Sequence, residues 1–514
     1  MTTQDMTSLF YWKPPTLAQK PHTRHADLCV YGGTASGVIA AVQAARLGLH
    51  VVLLAPERHI GGLTTGGLSY TDTGRKEAIG GLAREVYARI GAKYGKTEEW
   101  NFEPHVAEEV LTELLAEVRV VPYFGQFLAS VKKNRGQLVS VTTEEGLTVE
   151  AAVFIDATYE GDLMAKAGVS YTVGRESNKV YGETINGYQI RDKHQFLKPV
   201  SPYMIEDDPK SGLLPGIQAK PLAPGSGDKS VQAYCFRLCL TKTPANKIPY
   251  PKPIGYDNKN YELLTRYIKA GASEFFNKFD PLQKGKFDKN NHGGFSTDFI
   301  GANHKYPEAG YAEREKIFQE HVRYQQGLMW YMGNEPSVPA ELRERWSEWG
   351  LCRDEFLETG GWSRQLYVRE ARRMVTSVVM TESHCKGKLK IEDSVGLGSY
   401  NMDSHNCNRV VVDGFVKNEG DVQVSTPPYA ISYRSLVPRQ RECKNLFVPV
   451  CLASSHIAYG SIRMEPVFMI LGQSSALAAW LFIENAYPSV QEIPYSELEI
   501  LLRKARQVLA WKPR

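Results

Sequence analysis

Residues 27–55 read DLCVYGGTASGVIAAVQAARLGLHVVLLA. DLCVY is a short apolar, β-rich run. In the middle, Val38, Ala41, Val42 and Ala45 recur at the i, i+3, i+4, i+7 spacing of one helix face. Gly48 stands where a helix C-cap glycine belongs. LHVVLLA is a nearly continuous apolar run, as buried parallel strands are. The spacing predicts a βαβ unit with Gly32-Gly33-Thr34-Ala35-Ser36-Gly37 at its first turn. Free N–H groups and the positive dipole end of a helix there suit a pyrophosphate. Gly32 permits the tight turn and Gly37 a close approach of helix to strand. Thr34 replaces the second glycine of G-x-G-x-x-G, and its hydroxyl is read as a donor to the phosphate.

An acid is expected at the end of the second strand to hold a ribose. Ala55 stands there, and the nearest acid is Glu57. Either Glu57 reaches the ribose from the following turn, or backbone and water do so. Next comes Arg58-His59-Ile60-Gly61-Gly62-Leu63-Thr64-Thr65-Gly66-Gly67. Two glycine pairs let the backbone lie along an extended cofactor without obstruction. A nicotinamide enzyme has no evident use for this second segment. An FAD enzyme does, because its ribityl chain and flavin run past it.

Working outward, the 514 residues suggest two or three domains, and 42% apolar with 23% charged residues is globular composition. Sixty-one basic against 57 acidic residues leave a net charge of +4, which gives no electrostatic case for nucleic acid. Eight cysteines without regular spacing fit a reducing compartment, and Cys235 and Cys239 lack the partners of a metal site. Residues 1–25 are polar and lack a secretory apolar core. Pro466–Ile483 reads as a buried helix rather than a membrane span. The expectation is a cytoplasmic protein with no membrane or metal.

Four domain segments are expected: an extension (1–25), a first part of a nucleotide domain (26–175), an inserted α+β cap (176–385) and a second part (386–514). In the first part, a helix over Val106–Glu117 precedes strand-like runs RVVPYF, QFLASVKK, QLVSVTT and LTVEAAVFIDAT. They predict an antiparallel β-meander returning to a parallel sheet. The cap is dense in Gly, Pro, Lys and Asn, with helical periodicity over Ala312–Met332. Strands are expected at Gly414–Val416, Val422–Val424 and Leu446–Val450.

Ser454 to Glu465 reads as a polar loop, with Pro466 in the first turn of the helix after it. Arg463 there offers charge to an anionic acceptor, or pairs with Glu465 or another acid. His456 and His405 are candidate acid/base groups, with a structural role equally open. LYVREARRMV reads as a helix that puts Arg369 and Arg373 on one face, suited to a carboxylate or phosphate, or to ion pairs. Tyr433 and Arg434 are read on the substrate side, with a core tyrosine as rival.

The segments VYGGTASGVIAAVQAARLG, ERHIGGLTTGGL, DATYEGDLMAKAGVSYTVGRES, REARRMV, DSVGLGSYNMDSH, PYAISYRSLVP and LFVPVCLASSHIAYGSIRMEPVFMILGQSSALAAW carry a resemblance. The chain resembles the bacterial FAD-dependent oxidoreductase family often mislabelled as xanthan lyases, related to glutathione-reductase-like and fumarate-reductase-like flavoproteins. The resemblance implies an α/β fold with a Rossmann-like FAD domain assembled from both chain ends. It implies FAD contacts from the first glycine turn, from Glu57, Arg58, Gly61, Gly62, Leu63, Thr64 and Gly67, and from Phe127, Ala157, Thr158, Gly161 and Asp162. Gly460, Ser461, Ile462, Arg463 and Met464 would face the flavin. The expected activity is hydride transfer between flavin N5 and a small sugar-, hydroxy acid- or carboxylate-like substrate. A monooxygenase and a flavoprotein with structural FAD are the alternatives. Substrate, electron acceptor and oligomeric state are left open.

Overall fold

A computed structural model describes residues 9–15, 21–273 and 277–512. The expected βαβ unit is present: β1 (His22–Tyr31), α1 (Ala35–Arg46) and β2 (Val51–Leu54). β1 starts inside the expected 1–25 extension. Its early start follows from its partner, since His22 pairs with Leu147 at the head of a long strand. That partner, β5 (Leu147–Asp156), closes a meander with β3 (Leu128–Asn134) and β4 (Gln137–Thr143). RVVPYF contributes only a bridge from Tyr123 to Leu54, not a strand.

The sheet order is β2-β1-β5-β4-β3. β1 runs parallel to β2 and β5, whereas β4 runs antiparallel to both neighbours. β5 serves two partners. Its first half pairs with β4, and Phe154–Ile155 pair in parallel with Leu446–Phe447, the only two residues of Leu446–Val450 that form a strand. Tyr31, Leu54 and Asp156 end at one level, so the loops after β1, β2 and β5 emerge together.

Three helices pack on one face: α1, α2 (Gly81–Lys93) and α3 (Pro104–Glu117). A further helix, Glu465–Glu484, lies against α1, and a Cβ at Gly472 would come 2.3 Å from the Ser36 carbonyl. Among the described residues this helix alone is long and apolar enough to cross a membrane, with mean hydropathy 1.6, but 89% of that stretch is buried in protein.

A second, antiparallel sheet comes wholly from residues 238–352, in the order Phe279–Pro281, Lys286–Lys289, Leu238–Thr241, Gly350–Cys352, Lys247–Ile248. The long helix predicted over 312–332 runs Tyr311–Asn334. One apolar core runs through both regions without a break. Arg373–Met374 pair with Tyr171–Thr172, and Arg409–Val410 with Ile217–Gln218, stitching the expected segments across their boundaries.

Two expectations about elements are overturned. LYVREARRMV is extended, not helical, with Arg373–Met374 as a short strand. The expected loop 454–465 contains a helix, His456–Ile462, capped by Ser455 Oγ accepting from the Ala458 N–H.

Candidate functional site

The loops after β1, β2 and β5 meet at the carboxyl edge of the sheet, where such folds place ligands. Gly32 has φ +116°, and a Cβ on it would lie 2.7 Å from the Ala157 carbonyl carbon. A Cβ on Gly37 would lie 2.0 Å from the Gly32 oxygen. Strand and helix therefore close on each other only with glycine at both positions. Contrary to the expectation from sequence, Thr34 does not present a free hydroxyl to a phosphate. Its Oγ1 donates to the Ala157 carbonyl at 2.7 Å and accepts from the Gly37 N–H at 3.3 Å, capping α1.

From the turn after Ala55, Glu57 reaches the first glycine turn. Glu57 Oε2 accepts from the Gly33 N–H at 3.1 Å, and burial raises its carboxyl above the usual range. The second glycine segment is tied to the first, because Gly61 N–H donates to the Gly33 carbonyl at 2.7 Å. Glu57, Arg58, Gly62, Thr65, Phe127 and Glu160 line a crevice of about 70 Å³. A glycine cradle lacking Cβ atoms, a buried carboxylate for ribose hydroxyls, and Arg58 with Phe127 for a flat ring make a donor set that fits a dinucleotide.

The wall continues through Tyr159. Leu63 N–H donates to its hydroxyl at 2.9 Å, and that hydroxyl donates to Glu465 Oε1 at 2.8 Å. Thr64 Oγ1 donates to Glu465 Oε2 at 2.7 Å. Burial pushes the Glu465 carboxyl up to about 7, despite these two donors. Sequence reading took this acid only as a candidate partner of Arg463 and not as part of the wall. Its signal was a charge placed directly before Pro466, at the head of an apolar helix. Thr158 accepts from the Gly161 N–H and donates to Asp156, which shapes the turn. Burial alone would raise Asp162, but Arg314 and Arg372 at 2.6 and 2.7 Å hold it below its usual value.

A second, larger cavity of about 610 Å³ lies beside this wall. Gln365 and Leu366 line the crevice, and the next residue, Tyr367, lines the cavity. Tyr400, Arg237, Asp403 and His405 also face the cavity. His405 Nδ1 lies 2.9 Å from Asp298 Oδ2, and Nε2 lies 3.4 Å from Asp403 Oδ2. Burial would raise Asp298, but Arg369, at 2.9 Å, and His405 bring it to about 2. The imidazole is therefore oriented by a fixed carboxylate. Arg237 is itself paired with Asp288 at 2.8 Å.

Of the other catalytic candidates, none lines either space. His456 is buried on its helix, with Nδ1 2.8 Å from Glu370 and Nε2 3.0 Å from Ser404 Oγ. Arg369 is buried against Asp298 and the Ala233 carbonyl. Arg373 faces Glu370 and Glu176 instead of sharing a helix face with Arg369. Tyr433 is a core tyrosine whose hydroxyl donates to the Val490 carbonyl. Arg434 pairs at the surface with Asp393. The three arginines share one cause: each is satisfied by a carboxylate, Asp298 for Arg369, Glu176 and Glu370 for Arg373, and Asp393 for Arg434.

Arg463 pairs with an acid other than Glu465. Its guanidinium donates to Tyr367 Oη at 2.7 Å and to Asp403 Oδ2 at 3.1 Å. Asp403, also missed from sequence, thus joins Arg463 to His405. Gly460 packs against the Asp403 backbone, and Ser461 Oγ accepts from Tyr429 and donates to the Tyr400 carbonyl. Among the described residues Glu103, His105 and Glu355 also converge, but the Lys286 ammonium already sits between Glu103 and Glu355 at 2.7 Å from each.

The pattern of a family described as FAD dependent oxidoreductase matches residues 27–502. No curated protein matches the chain. Among solved structures, it is similar to a flavoprotein/dehydrogenase from Cytophaga hutchinsonii at 13% identity and TM-score 0.23, covering 29% of this chain and 43% of that one. A geranylgeranyl bacteriochlorophyll reductase-like protein from Thermoplasma acidophilum matches at 12% identity and TM-score 0.37, covering 95% of this chain and 85% of that one. The match thus spans less than half the length of the first of these.

Proposed function

The chain belongs to the FAD dependent oxidoreductase family, and on that premise we propose that it passes a hydride between flavin N5 and a small sugar-, hydroxy acid- or carboxylate-like substrate held in the 610 Å³ cavity. The protein is an FAD-dependent enzyme, and bound FAD supplies the two-electron chemistry. The first glycine turn, Glu57, Gly61, Gly62 and Phe127 would hold it. The cavity has the volume of an ordinary small-molecule site. Its wall mixes both charges with the amides of Gln195, Asn290, Asn291 and Gln423, which suits hydroxyl-rich or carboxylate ligands.

The observation that carries the reading is His405, oriented by Asp298 on Nδ1 and lining the cavity beside Asp403. In the oxidative direction Nε2 would take the substrate hydroxyl proton, and in the reductive direction return it. Asp298 stabilises the imidazolium formed. We read residues 176–385 as the cap over this cavity and the cytoplasm as the place of work.

The test is anaerobic mixing of the holoprotein with panels of sugars and hydroxy acids, followed by the visible flavin band. A substrate found this way should reduce His405→Ala about 10²–10⁴-fold more slowly, at unchanged FAD content. Reduction of that variant at the wild-type rate would remove His405 from the chemistry. Oxygen uptake coupled to NADPH consumption would instead favour a monooxygenase.

A further inference from the structure

The residues that precede the family match at Asp27 are not inert. Leu9 is buried in the main core. Phe10 and Tyr11 line the same narrow crevice as Glu57, Arg58 and Phe127. The Arg58 guanidinium lies 4.0 Å from the Phe10 ring centre, and the Tyr11 ring meets Phe127 edge-on at 5.4 Å. The segment is fastened on both sides of the crevice. On one side the backbone N–H groups of Tyr11 and Trp12 donate to Glu315 at 2.6 and 2.9 Å, and Gln319 donates to the Leu9 carbonyl at 2.8 Å. Both acceptor and donor sit on the Tyr311–Asn334 helix. On the other side, the Trp12 indole donates at 2.8 Å to Glu144, in the turn after β4.

We propose that Leu9–Trp12 is a strap that completes the cofactor site, its aromatic rings closing the adenosine end of FAD. This rests on the reading that the crevice holds FAD. Glu57 fixes the polarity of the crevice, because a carboxylate held at the Gly33 N–H is placed for ribose hydroxyls. The flat surfaces next to it, Phe10 with Arg58 and Tyr11 with Phe127, suit a purine, which stacks on aromatic rings and guanidinium planes alike. The strap bridges the nucleotide sheet and the Tyr311–Asn334 helix, so release of the dinucleotide requires those contacts to open.

The test compares wild type, Phe10→Ala and Tyr11→Ala as apoproteins. FAD affinity and dissociation rate are read by flavin fluorescence, ADP serves as a competing probe of the adenosine half, and apoprotein melting controls for folding. Both variants should bind FAD and ADP about tenfold to a hundredfold more weakly, mostly through faster release, in apoprotein that still melts cooperatively. Should either variant fail to fold, Glu315→Gln loosens the strap without touching the crevice and should speed FAD release in the same sense. Unchanged FAD and ADP affinity, or a loss confined to apoprotein melting, overturns the strap. A wild-type apoprotein that takes up FAD but is blind to ADP overturns it too. Wild type that takes up no FAD at all would sink the reading of the crevice itself.

Discussion

Around Gly32–Gly37 the site consists of what side chains leave out, whereas around His405 it consists of side chains that hold one another. In the first region a missing Cβ lets strand, helix and loop approach to within a methyl group of contact. Backbone groups do the work, and Thr34, the polar side chain expected to help, is used up as a cap. In the second region Arg369, Asp298, His405, Asp403 and Arg463 form one chain of polar contacts, with an ion pair at each end. His456, Glu370 and Arg373 form another, buried beside it. The first design is specified locally by adjacent residues, and the second by partners brought together from distant parts of the chain. A local design fails completely when one atom is added. A networked one fails in proportion to the charge left without a partner.

Gly37→Val is the sharpest test of the first half of that contrast. The added carbon meets the Gly32 carbonyl, a backbone atom that cannot step aside, so the variant should purify without FAD or not fold. Visible absorption per mole of protein reads this directly. A yellow, stable Gly37→Val protein would show that the turn tolerates side chains after all.

Glu370→Ala addresses the second half. The Glu370 carboxylate is buried and faces His456, Arg373 and the Gln232 N–H. Burial would raise it, but His456 and Arg373 hold it below its usual value. Removing it strands buried positive charge, at a cost of about 3–5 kcal/mol in denaturant unfolding. A loss of turnover without loss of stability would instead return His456 to the list of catalytic groups.

The smallest effect is expected at Glu465, which Thr64 and Tyr159 hold beside the second glycine segment. Its folded carboxyl titrates at about 7, above the ordinary value of 4.5. A carboxyl raised by folding stabilises the protein below its unfolded value and loses that contribution as pH rises through the folded one. Stability of the apoprotein should therefore fall between pH about 4.5 and 7, by up to roughly 3 kcal/mol. Glu465→Gln, which stays neutral, should flatten that slope. Melting curves across this window check it, and an equal slope in both proteins would mean that Glu465 stays ionised.

The sequence made the βαβ unit legible because helix period, strand composition and punctuating glycines agree within one short window. The Tyr311–Asn334 helix was legible for the same reason, to within two residues at either end. REARRMV was misread because Glu, Ala and Arg favour helices, while the residues that hold it extended, Tyr171–Thr172, lie far upstream. The helix His456–Ile462 was misread as a loop, although Ser455 supplied an N-cap signal. Glu57 was legible as a candidate because only distance from Ala55 was at issue. Asp403 and Asp298 were not, since nothing local tells a buried carboxylate facing His405 from any other.

One feature of the sheet bears on how the protein is made. β5 receives its parallel neighbour, Leu446–Phe447, only after the rest of the chain has been threaded through a second sheet. Roughly 290 residues separate the two partners, which at ribosomal speeds of about 5–20 residues per second is a delay of about 15–60 seconds. During that interval the Phe154–Ile155 edge and the face of α1 that later meets the Glu465–Glu484 helix have no partner from their own chain. A nascent chain of this kind presents an apolar strand edge and a bare small-residue helix face to whatever is nearby. Chaperone attendance during that interval is the biosynthetic consequence of drawing one sheet from strands some 290 residues apart.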